Sequence, residues 1–252
     1  MIRILSTNEL EKMRLAGRAA RETLALVGQR LAPGVSTLTI DAWVREDTAR
    51  RGGRPSQLGY SPEPGLVFPA AVCTSVNHVV CHGIPRADQV LQHGDIINVD
   101  ITTELDGFHG DTSATFCVGE CSPAARRLVE AARRCRDVGV LAVRPGARLG
   151  DIGAAIEAEA ARLGVSVVRE FGGHGIGRRM HEEPHVPCHG RAGTGVRLKP
   201  GMALTIEPML NLGGPAIEFG DDGWTVLTRD GSLSAQFEHT VLVTPSGHEV
   251  TT

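Results

Sequence analysis

Residues 95–113 read Asp95-Ile-Ile-Asn-Val-Asp100-Ile-Thr-Thr-Glu-Leu-Asp-Gly107-Phe-His-Gly-Asp111-Thr-Ser, and this stretch predicts two antiparallel strands joined by a tight turn at 104–107. In the first strand, aliphatic residues at 97, 99 and 101 alternate with polar residues at 98, 100 and 102. A period of two is typical of a strand with one buried face. The polar residues, including Asp100, are therefore expected to share the face that points away from the core.

The turn leaves two registers open for the paired acids. If Leu105-Asp106 is the loop, Asp100 faces Asp111 directly. If Asp106-Gly107 is the loop, Asp111 faces Thr102, and the two acids are diagonal neighbours on one face. Only a three-residue loop with no compensating bulge would separate them.

Two carboxylates on neighbouring strands repel each other, which destabilises a hairpin. A divalent metal ion between them is the usual remedy. The alternative is that this face is solvated and that the acids are ordinary surface residues.

A second copy of the pattern favours the metal site. Residues 91–100 align without gaps with residues 198–207, so that Asp100 matches Glu207. A further acid, Glu238, follows in a third strand pattern. We therefore interpret the chain as one domain of two related halves, about 1–120 and 121–252, with four carboxylates at their junction.

The rest of the chain repeats the order helix, helix, strands. Helices are predicted from a capping box at Ser6–Glu9 to about Leu31, from Ser36 to Gly52, from 122 to 143 and from 149 to 163. The proline-rich segment 55–69 is a long loop, which favours a binding role. Asp230-Gly231 predicts a hairpin turn between strands at 224–228 and 233–243. This order predicts an α+β fold with helices on one side of a curved antiparallel sheet.

Composition excludes several classes of function. The chain has 252 residues, 41% of them hydrophobic, and a net charge of −3, so nothing favours nucleic-acid or membrane-surface binding. There is no membrane-spanning stretch and no signal peptide, so a cytoplasmic location is expected. The six cysteines show no C-x-x-C spacing and are expected to be free thiols.

Three histidines are candidates for chemistry. His174 lies among glycines at 172–177, which would let the backbone approach a ligand closely. His82 is expected at a strand end before a turn. His181 and His185 match H-E-x-x-H, but that zinc motif needs a helix, and Pro184 interrupts the segment.

At this point the motifs as a set resemble the type I methionine aminopeptidases, from the first helix to about residue 244. The stretches that carry the resemblance are Cys81-His82-Gly-Ile-Pro85, Asn98-Val-Asp100, Gly107-Phe-His-Gly-Asp111-Thr-Ser, Gly173-His174-Gly-Ile-Gly177, His181-Glu-Glu-Pro184, Thr205-Ile-Glu207-Pro-Met and Ala235-Gln-Phe-Glu238-His-Thr. The resemblance implies a hydrolase with the pseudo-symmetric pita-bread fold. Its substrates would be peptides and nascent chains that begin with methionine and have a small second residue.

The resemblance also implies a centre of two divalent ions. Asp111 and Glu238 would bridge both ions, Asp100 would chelate one, and His174 with Glu207 would bind the other. Four carboxylates against two divalent cations leave no net charge. The donor set does not discriminate among Co, Mn, Fe, Zn and Ni.

Roles in catalysis follow by the same resemblance. Two ions that share a water lower its pKa, so that hydroxide attacks the scissile carbonyl at neutral pH. Glu207 would shuttle the proton, His181 would stabilise the oxyanion, and His82 would hydrogen-bond the peptide nitrogen. Thr102, on the face of Asp100, is expected to support the ligands from behind.

A pocket for the methionine side chain is expected from four residues that match family positions: Tyr60, Phe68, Cys73 and Trp224. The chain departs from the family at Gln57, where cysteine is more usual, at Met180, where phenylalanine is more usual, and in a longer loop over 60–69. These departures bear on the shape of the pocket rather than on the chemistry.

Two other functions remain open from sequence. One is an Xaa-Pro aminopeptidase or prolidase of the same fold, and the other is a non-catalytic binding protein that keeps the fold. The expected state is a monomer without nucleic-acid or membrane partners, with contact at the ribosome exit region as a further expectation.

Overall fold

The computed structural model describes residues 2–252 and contains four α-helices. They are α1 (Thr7–Arg30), α2 (Thr37–Arg50), α3 (Pro123–Ala142) and α4 (Leu149–Leu163). The predicted capping box begins α1, since Ser6 Oγ accepts from Glu9 N while the Glu9 carboxylate accepts from Ser6 N. None of the described helices has both the length and the apolar character needed to cross a bilayer.

Fifteen strands complete the described structure. In chain order they are β1 (Arg54–Pro55), β2 (Cys73–Val76), β3 (Val79–Cys81), β4 (Ile96–Leu105), β5 (Phe108–Cys117), β6 (Ser166–Val167), β7 (Gly172–Gly175), β8 (Glu182–Pro187), β9 (Ala203–Ile206), β10 (Met209–Asn211), β11 (Ile217–Phe219), β12 (Val226–Thr228), β13 (Ser234–Gln236), β14 (Glu238–Thr244) and β15 (Gly247–Val250).

A nine-stranded sheet forms the centre of the molecule. Its strands follow the order β1-β4-β5-β14-β9-β7-β8, with β2 also paired to β4 and β15 to β14. The antiparallel pair β5–β14 therefore joins strands from the first and second parts of the chain. Two three-stranded sheets, β13-β10-β6 and β11-β12-β3, flank this centre.

The β4–β5 hairpin adopts the second of the two predicted registers. Leu105 pairs with Phe108, Thr102 with Asp111, and Asp100 with Ser113. The two loop residues 106 and 107 have φ values of +52° and +75°, as a type I′ turn requires. Glycine enters this conformation without strain and aspartate tolerates it, so the turn chemistry selects the register.

The helices cover one face of the sheet through two apolar clusters. In the first, Leu24 and Val27 of α1 pack with Ile97, Val99 and Ile101 of β4. In the second, side chains of α3 and α4 pack with the aliphatic residues of β9 and β14. The opposite, polar face of the same strands remains available for chemistry, and the predicted α+β architecture is confirmed.

The predicted hairpin at Asp230-Gly231 was wrong. β12 pairs with β11 and β3, whereas β13 pairs with β10, so the two flanking strands enter different positions. The carboxylate of Asp230 accepts from Gly214 N at 2.8 Å and from Ser232 N at 3.0 Å, and Leu212 N donates to Leu233 O at 2.9 Å. These contacts direct the chain after Asp230 toward β10. Hydrogen bonds to residues distant in sequence therefore outweigh the preference of Asp230-Gly231 for a hairpin turn.

Candidate metal centre and active site

Four acidic side chains lie on, or directly after, four neighbouring strands of the central sheet. Asp100 belongs to β4, Asp111 to β5 and Glu238 to the start of β14, while Glu207 directly follows β9. Ser113 of β5 is the register partner of both Asp100 and Glu238. The pairing of β5 with β14 therefore gathers the acids from both parts of the chain.

Hydroxyl groups orient two of these acids. Thr102 Oγ1 donates to Asp111 Oδ1 at 2.8 Å, and Thr205 Oγ1 donates to Glu207 Oε1 at 2.7 Å. Gln236 Nε2 donates to the second oxygen of Glu207 at 3.3 Å. These hydrogen bonds thus hold the carboxylates of Asp111 and Glu207 in defined orientations.

His174 completes the cluster from β7. Its Nε2 lies 3.4 Å from Glu207 Oε1 and 3.7 Å from Asp111 Oδ2. Its Nδ1 lies 3.0 Å from the carbonyl oxygen of Gly175, which assigns the ring proton to Nδ1. Nε2 is therefore left with its lone pair toward the acids, as a metal-binding imidazole requires.

Ligand atoms of Asp111, His174 and Glu238 all lie within 4.8 Å of one another, a spacing that could hold a metal ion. Among residues 2–252, the only salt-bridge contacts to the four acids come from His174, and the buried Glu238 Oε1 has no hydrogen-bond partner. Buried carboxylates without a cation are costly. The donor set therefore fits a divalent metal.

The electrostatics agree with this interpretation. Burial, reinforced by the Asp111 carboxylate, raises the pKa of Asp100, Glu207 and Glu238 well above their ordinary values. Burial also raises the pKa of Asp111 to about 7 and lowers that of His174 to about 3. Since His174 is neutral, it supplies a ligand atom but no positive charge to the cluster.

A cavity of about 580 Å³ opens above these side chains. All of the residues predicted as ligands, catalytic groups, pocket walls or supporting groups line it, namely Tyr60, Phe68, Cys73, His82, Asp100, Thr102, Asp111, His174, His181, Glu207, Trp224 and Glu238. The structure therefore brings together every side chain selected from the sequence.

One wall of the cavity is apolar. Phe68 is 2% exposed, and its ring lies 5.1 Å from that of Trp224 in an edge contact. Phe68 N donates to Tyr60 O at 2.8 Å, which closes the base of the proline-rich loop. Residues 61–65 of that loop are exposed, whereas Phe68 is buried in the wall beside Cys73.

Two further histidines face the cavity. His82 has a φ of +55°, unusual for a residue with a side chain, and its ring lies 5.5 Å from that of Phe171. Burial, followed by the effect of His181, lowers the pKa of His82 to about 4. The ring of His181 lies 4.4 Å from that of His174, and its Nδ1 lies 2.7 Å from Tyr60 Oη.

The glycines around His174 meet a packing requirement that the sequence did not predict. A Cβ on Gly173 would lie 2.1 Å from Thr205 O, and one on Gly175 would lie 2.2 Å from Glu183 O. Close packing of β7 between β9 and β8 therefore requires glycine at these positions, and Gly172 and Gly173 also line the cavity. Metal binding by an H-E-x-x-H helix does not arise, because 182–187 form strand β8.

Sequence reasoning missed several contributors to the site. Gln57 was noted only as a departure, yet its side chain bonds the β4 backbone, donating to Asp100 O at 3.2 Å and accepting from Thr102 N at 3.1 Å. Thr205 was not singled out, although its spacing of two from Glu207 places both on one strand face. Phe171 and Met209 also line the cavity and carried no distinct sequence signal.

Comparison with known proteins defines the class. The model of metallopeptidase family M24 matches residues 11–245. The prolidase from Pyrococcus furiosus shares the fold, with a TM-score of 0.77 at 19% identity over 98% of this chain and 64% of that chain. This class is one of metal-dependent peptidases, so metal use follows from membership.

Closer relatives narrow the assignment. Methionine aminopeptidase B of Synechocystis is 50% identical over 249 residues, which are 99% of this chain and 91% of that protein. The crystal structure of methionine aminopeptidase from Rickettsia prowazekii has a TM-score of 0.96 at 45% identity, covering 100% of this chain and 99% of that one. The chain therefore belongs to family M24, among its methionine aminopeptidases. The expectations of a hydrolase and of the pita-bread fold are confirmed.

Proposed function

We propose that the protein is a metal-dependent aminopeptidase that releases the N-terminal methionine of peptides and nascent proteins when the second residue is small. The observation that carries this proposal is the convergence of four buried carboxylates and one neutral imidazole at the base of a cavity with an apolar aromatic wall. Close relatives that are methionine aminopeptidases supply the substrate class.

Two divalent ions are proposed at the acid cluster, held by Asp100, Asp111, His174, Glu207 and Glu238. Two such ions would balance the four carboxylate charges and offset the burial that otherwise raises the pKa values of these acids. When bound, divalent ions lower the pKa of a water and polarise a carbonyl. The choice among Co, Mn, Fe, Zn and Ni depends on availability as much as on affinity.

The chain's own groups then handle the protons and the developing charge. Glu207 takes a proton from the attacking water and delivers it to the leaving amine, with Thr205 and Gln236 fixing its orientation. His181 donates a hydrogen bond to the carbonyl oxygen as negative charge develops there. His82 hydrogen-bonds the peptide nitrogen beside the scissile bond.

The apolar wall is proposed to hold the methionine side chain. A thioether is polarisable and gains from contacts with aromatic rings, which Tyr60, Phe68 and Trp224 provide. Cys73 contributes a buried apolar surface beside them. The cavity volume is in the range of small-ligand pockets.

The cellular setting is proposed together with the activity. We infer that residues 1–252 act as one domain with halves at about 1–120 and 121–252, supported by the central sheet that runs through both. The six free cysteines support a reducing compartment such as the cytoplasm. A monomer that meets nascent chains at the ribosome exit region completes the proposal.

A peptide panel tests the function. Purified protein is treated with a chelator, given each divalent ion in turn, and offered Met-Ala, Met-Pro, Leu-Ala and Xaa-Pro peptides, together with a Met-Leu peptide. Release of methionine only from peptides with a small second residue is the expected result. Cleavage confined to Xaa-Pro bonds would identify a prolidase-like enzyme instead, and no turnover with any ion would indicate a binding protein.

A further inference from the structure

At the edge of the cavity, the hydroxyl of Tyr60 contacts the imidazole of His181, one of the candidate catalytic residues. Tyr60 is the only tyrosine in the chain. Its Oη lies 2.7 Å from His181 Nδ1, a normal hydrogen-bond length, and the two rings meet edge to face with centroids 5.0 Å apart.

We propose that Tyr60 is a positioning residue for His181. Its hydroxyl donates to Nδ1 of His181 and thereby selects the neutral imidazole tautomer that carries its proton on Nε2. This inference rests on the proposed function, because the role of His181 as donor to the carbonyl oxygen is part of that proposal.

The chemistry of the two rings sets the direction of the hydrogen bond. A neutral imidazole has one donor and one acceptor nitrogen, and the group bound to one nitrogen decides the state of the other. A phenol titrates near pH 10, and burial raises the pKa of Tyr60 further, so the hydroxyl keeps its proton at neutral pH. An imidazole with its proton on Nδ1 would present only a lone pair to an oxyanion and would repel it.

Packing alone does not account for the hydroxyl. The ring of Tyr60 packs near Trp224, with centroids 6.4 Å apart, while Phe68 contacts the same indole with no hydroxyl. A wall built only to hold a thioether would accept phenylalanine at both positions. His181 itself is exposed and immediately precedes β8, so strand pairing does not fix its ring. The hydrogen bond to Tyr60 supplies that orientation.

The tautomer can be measured directly in the zinc-loaded enzyme, which is diamagnetic. Long-range ¹H–¹⁵N NMR of histidine-labelled protein separates the two neutral tautomers and the imidazolium, and the His181 signals are those lost in His181→Asn. We expect the tautomer protonated on Nε2 in the wild type and a mixture in Tyr60→Phe. A wild-type ring protonated on Nδ1, or an unchanged tautomer in Tyr60→Phe, overturns the inference.

Kinetics test whether Tyr60 acts through His181. Tyr60→Phe removes one oxygen and is expected to lower kcat on a Met-Ala peptide about tenfold, with KM changed less than about twofold. Trp224→Phe, which alters the pocket wall but no bond to His181, should instead raise KM. In the His181→Asn background, Tyr60→Phe should cause no further loss.

Two kinetic outcomes contradict the inference: a further tenfold loss in the double variant, or a rise in KM at unchanged kcat in Tyr60→Phe. Failure of the proposed function gives a different result, namely a wild-type protein that releases no methionine. In that case the NMR measurement still decides whether Tyr60 selects the His181 tautomer.

Discussion

Thr102 and Asp111 lie directly opposite each other in the β4–β5 hairpin, and Thr102 Oγ1 donates a hydrogen bond of 2.8 Å to Asp111 Oδ1. The second oxygen, Oδ2, is thereby turned toward His174 Nε2, 3.7 Å away. One hydroxyl thus orients a carboxylate that is proposed as a metal ligand. The contact exists only in the register that the Asp106-Gly107 turn selects.

Thr102→Val should weaken metal binding. Valine keeps the shape of threonine but cannot donate to Asp111, so we expect about 10- to 100-fold weaker divalent-ion affinity, measured by calorimetric titration of the metal-free protein. Activity at saturating metal should fall much less than activity at limiting metal.

Thr103→Val is the matched control. Thr103 is the neighbouring residue on the same strand and is fully buried, but its Oγ1 has no hydrogen-bond partner. Its replacement should leave metal affinity unchanged and stability unchanged or slightly higher. Equal losses of affinity in the two variants would contradict the role assigned to Thr102.

Asp111→Asn should abolish metal uptake and reduce turnover below about 1% of the wild type, since it removes one of the charges proposed to hold the metal. Its circular dichroism should remain nearly native. The control Asp106→Asn changes an exposed turn residue at a φ that asparagine tolerates, and it should retain full activity. Full activity in Asp111→Asn would refute the site.

Gln57→Leu should destabilise the edge of β4. The Gln57 amide fills the gap between β1 and β2 by bonding Asp100 O and Thr102 N, and leucine would leave these backbone groups unpaired. We expect a loss of about 2 kcal/mol in the free energy of unfolding, measured with urea. The exposed control Gln92→Leu should change it by less than about 0.5 kcal/mol. Equal stability of the two variants would remove this role from Gln57.

Low pH should reveal how much Asp47 contributes to the free energy of unfolding. Its side chain is buried, with 3% of its surface exposed. Burial acts to raise its pKa, but hydrogen bonds from Arg51, Arg50 and Thr23 outweigh it and leave the pKa below the usual value of 3.8. Because the folded-state pKa is lowered, the stabilisation is complete above the unfolded pKa and is lost as pH falls through the folded pKa.

Asp47→Asn should therefore lower the free energy of unfolding by about 1–3 kcal/mol at pH 7, and the difference from wild type should shrink below pH 4. Urea unfolding at both pH values measures it. Asp88→Asn is the control, because its ion pair with Arg86 is solvent-exposed and should contribute little. A difference that stays constant with pH would contradict the assignment.

Much of the candidate site could be predicted from local patterns. Alternation placed Asp100 and Thr102 on one face of a strand, and the repeat at a spacing of 107 residues identified Glu207 as the counterpart of Asp100. Both features can be recognised in the sequence alone, because neither a period of two nor a repeated motif requires knowledge of contacts between distant residues. The helices were predicted for the same reason, from caps and apolar spacing.

Other features depended on partners far along the chain. The turn at Asp230 was predicted as a hairpin, but the flanking strands pair elsewhere: β12 pairs with β3, and β13 pairs with β10. The glycines around His174 were expected to let the backbone approach a ligand, but the close packing of Gly173 against Thr205 and of Gly175 against Glu183 was not predicted. Gln57 was identified as unusual, but its contact with β4 depends on how the loop before Tyr60 returns to the sheet.

The sequence by itself determined which acids were expected to share a site, since strand alternation and the internal repeat can be recognised without the fold, and the family resemblance supplied the proposed roles of the histidines. Only the tertiary structure decided the pairing of β5 with β14, the contact of Gln57 with β4 and the contact between Tyr60 and His181. Each of these joins atoms by hydrogen bonds whose free energy depends on geometry within a few tenths of an ångström. Sequence spacing does not encode distances of that kind, because the packing of the whole sheet sets them.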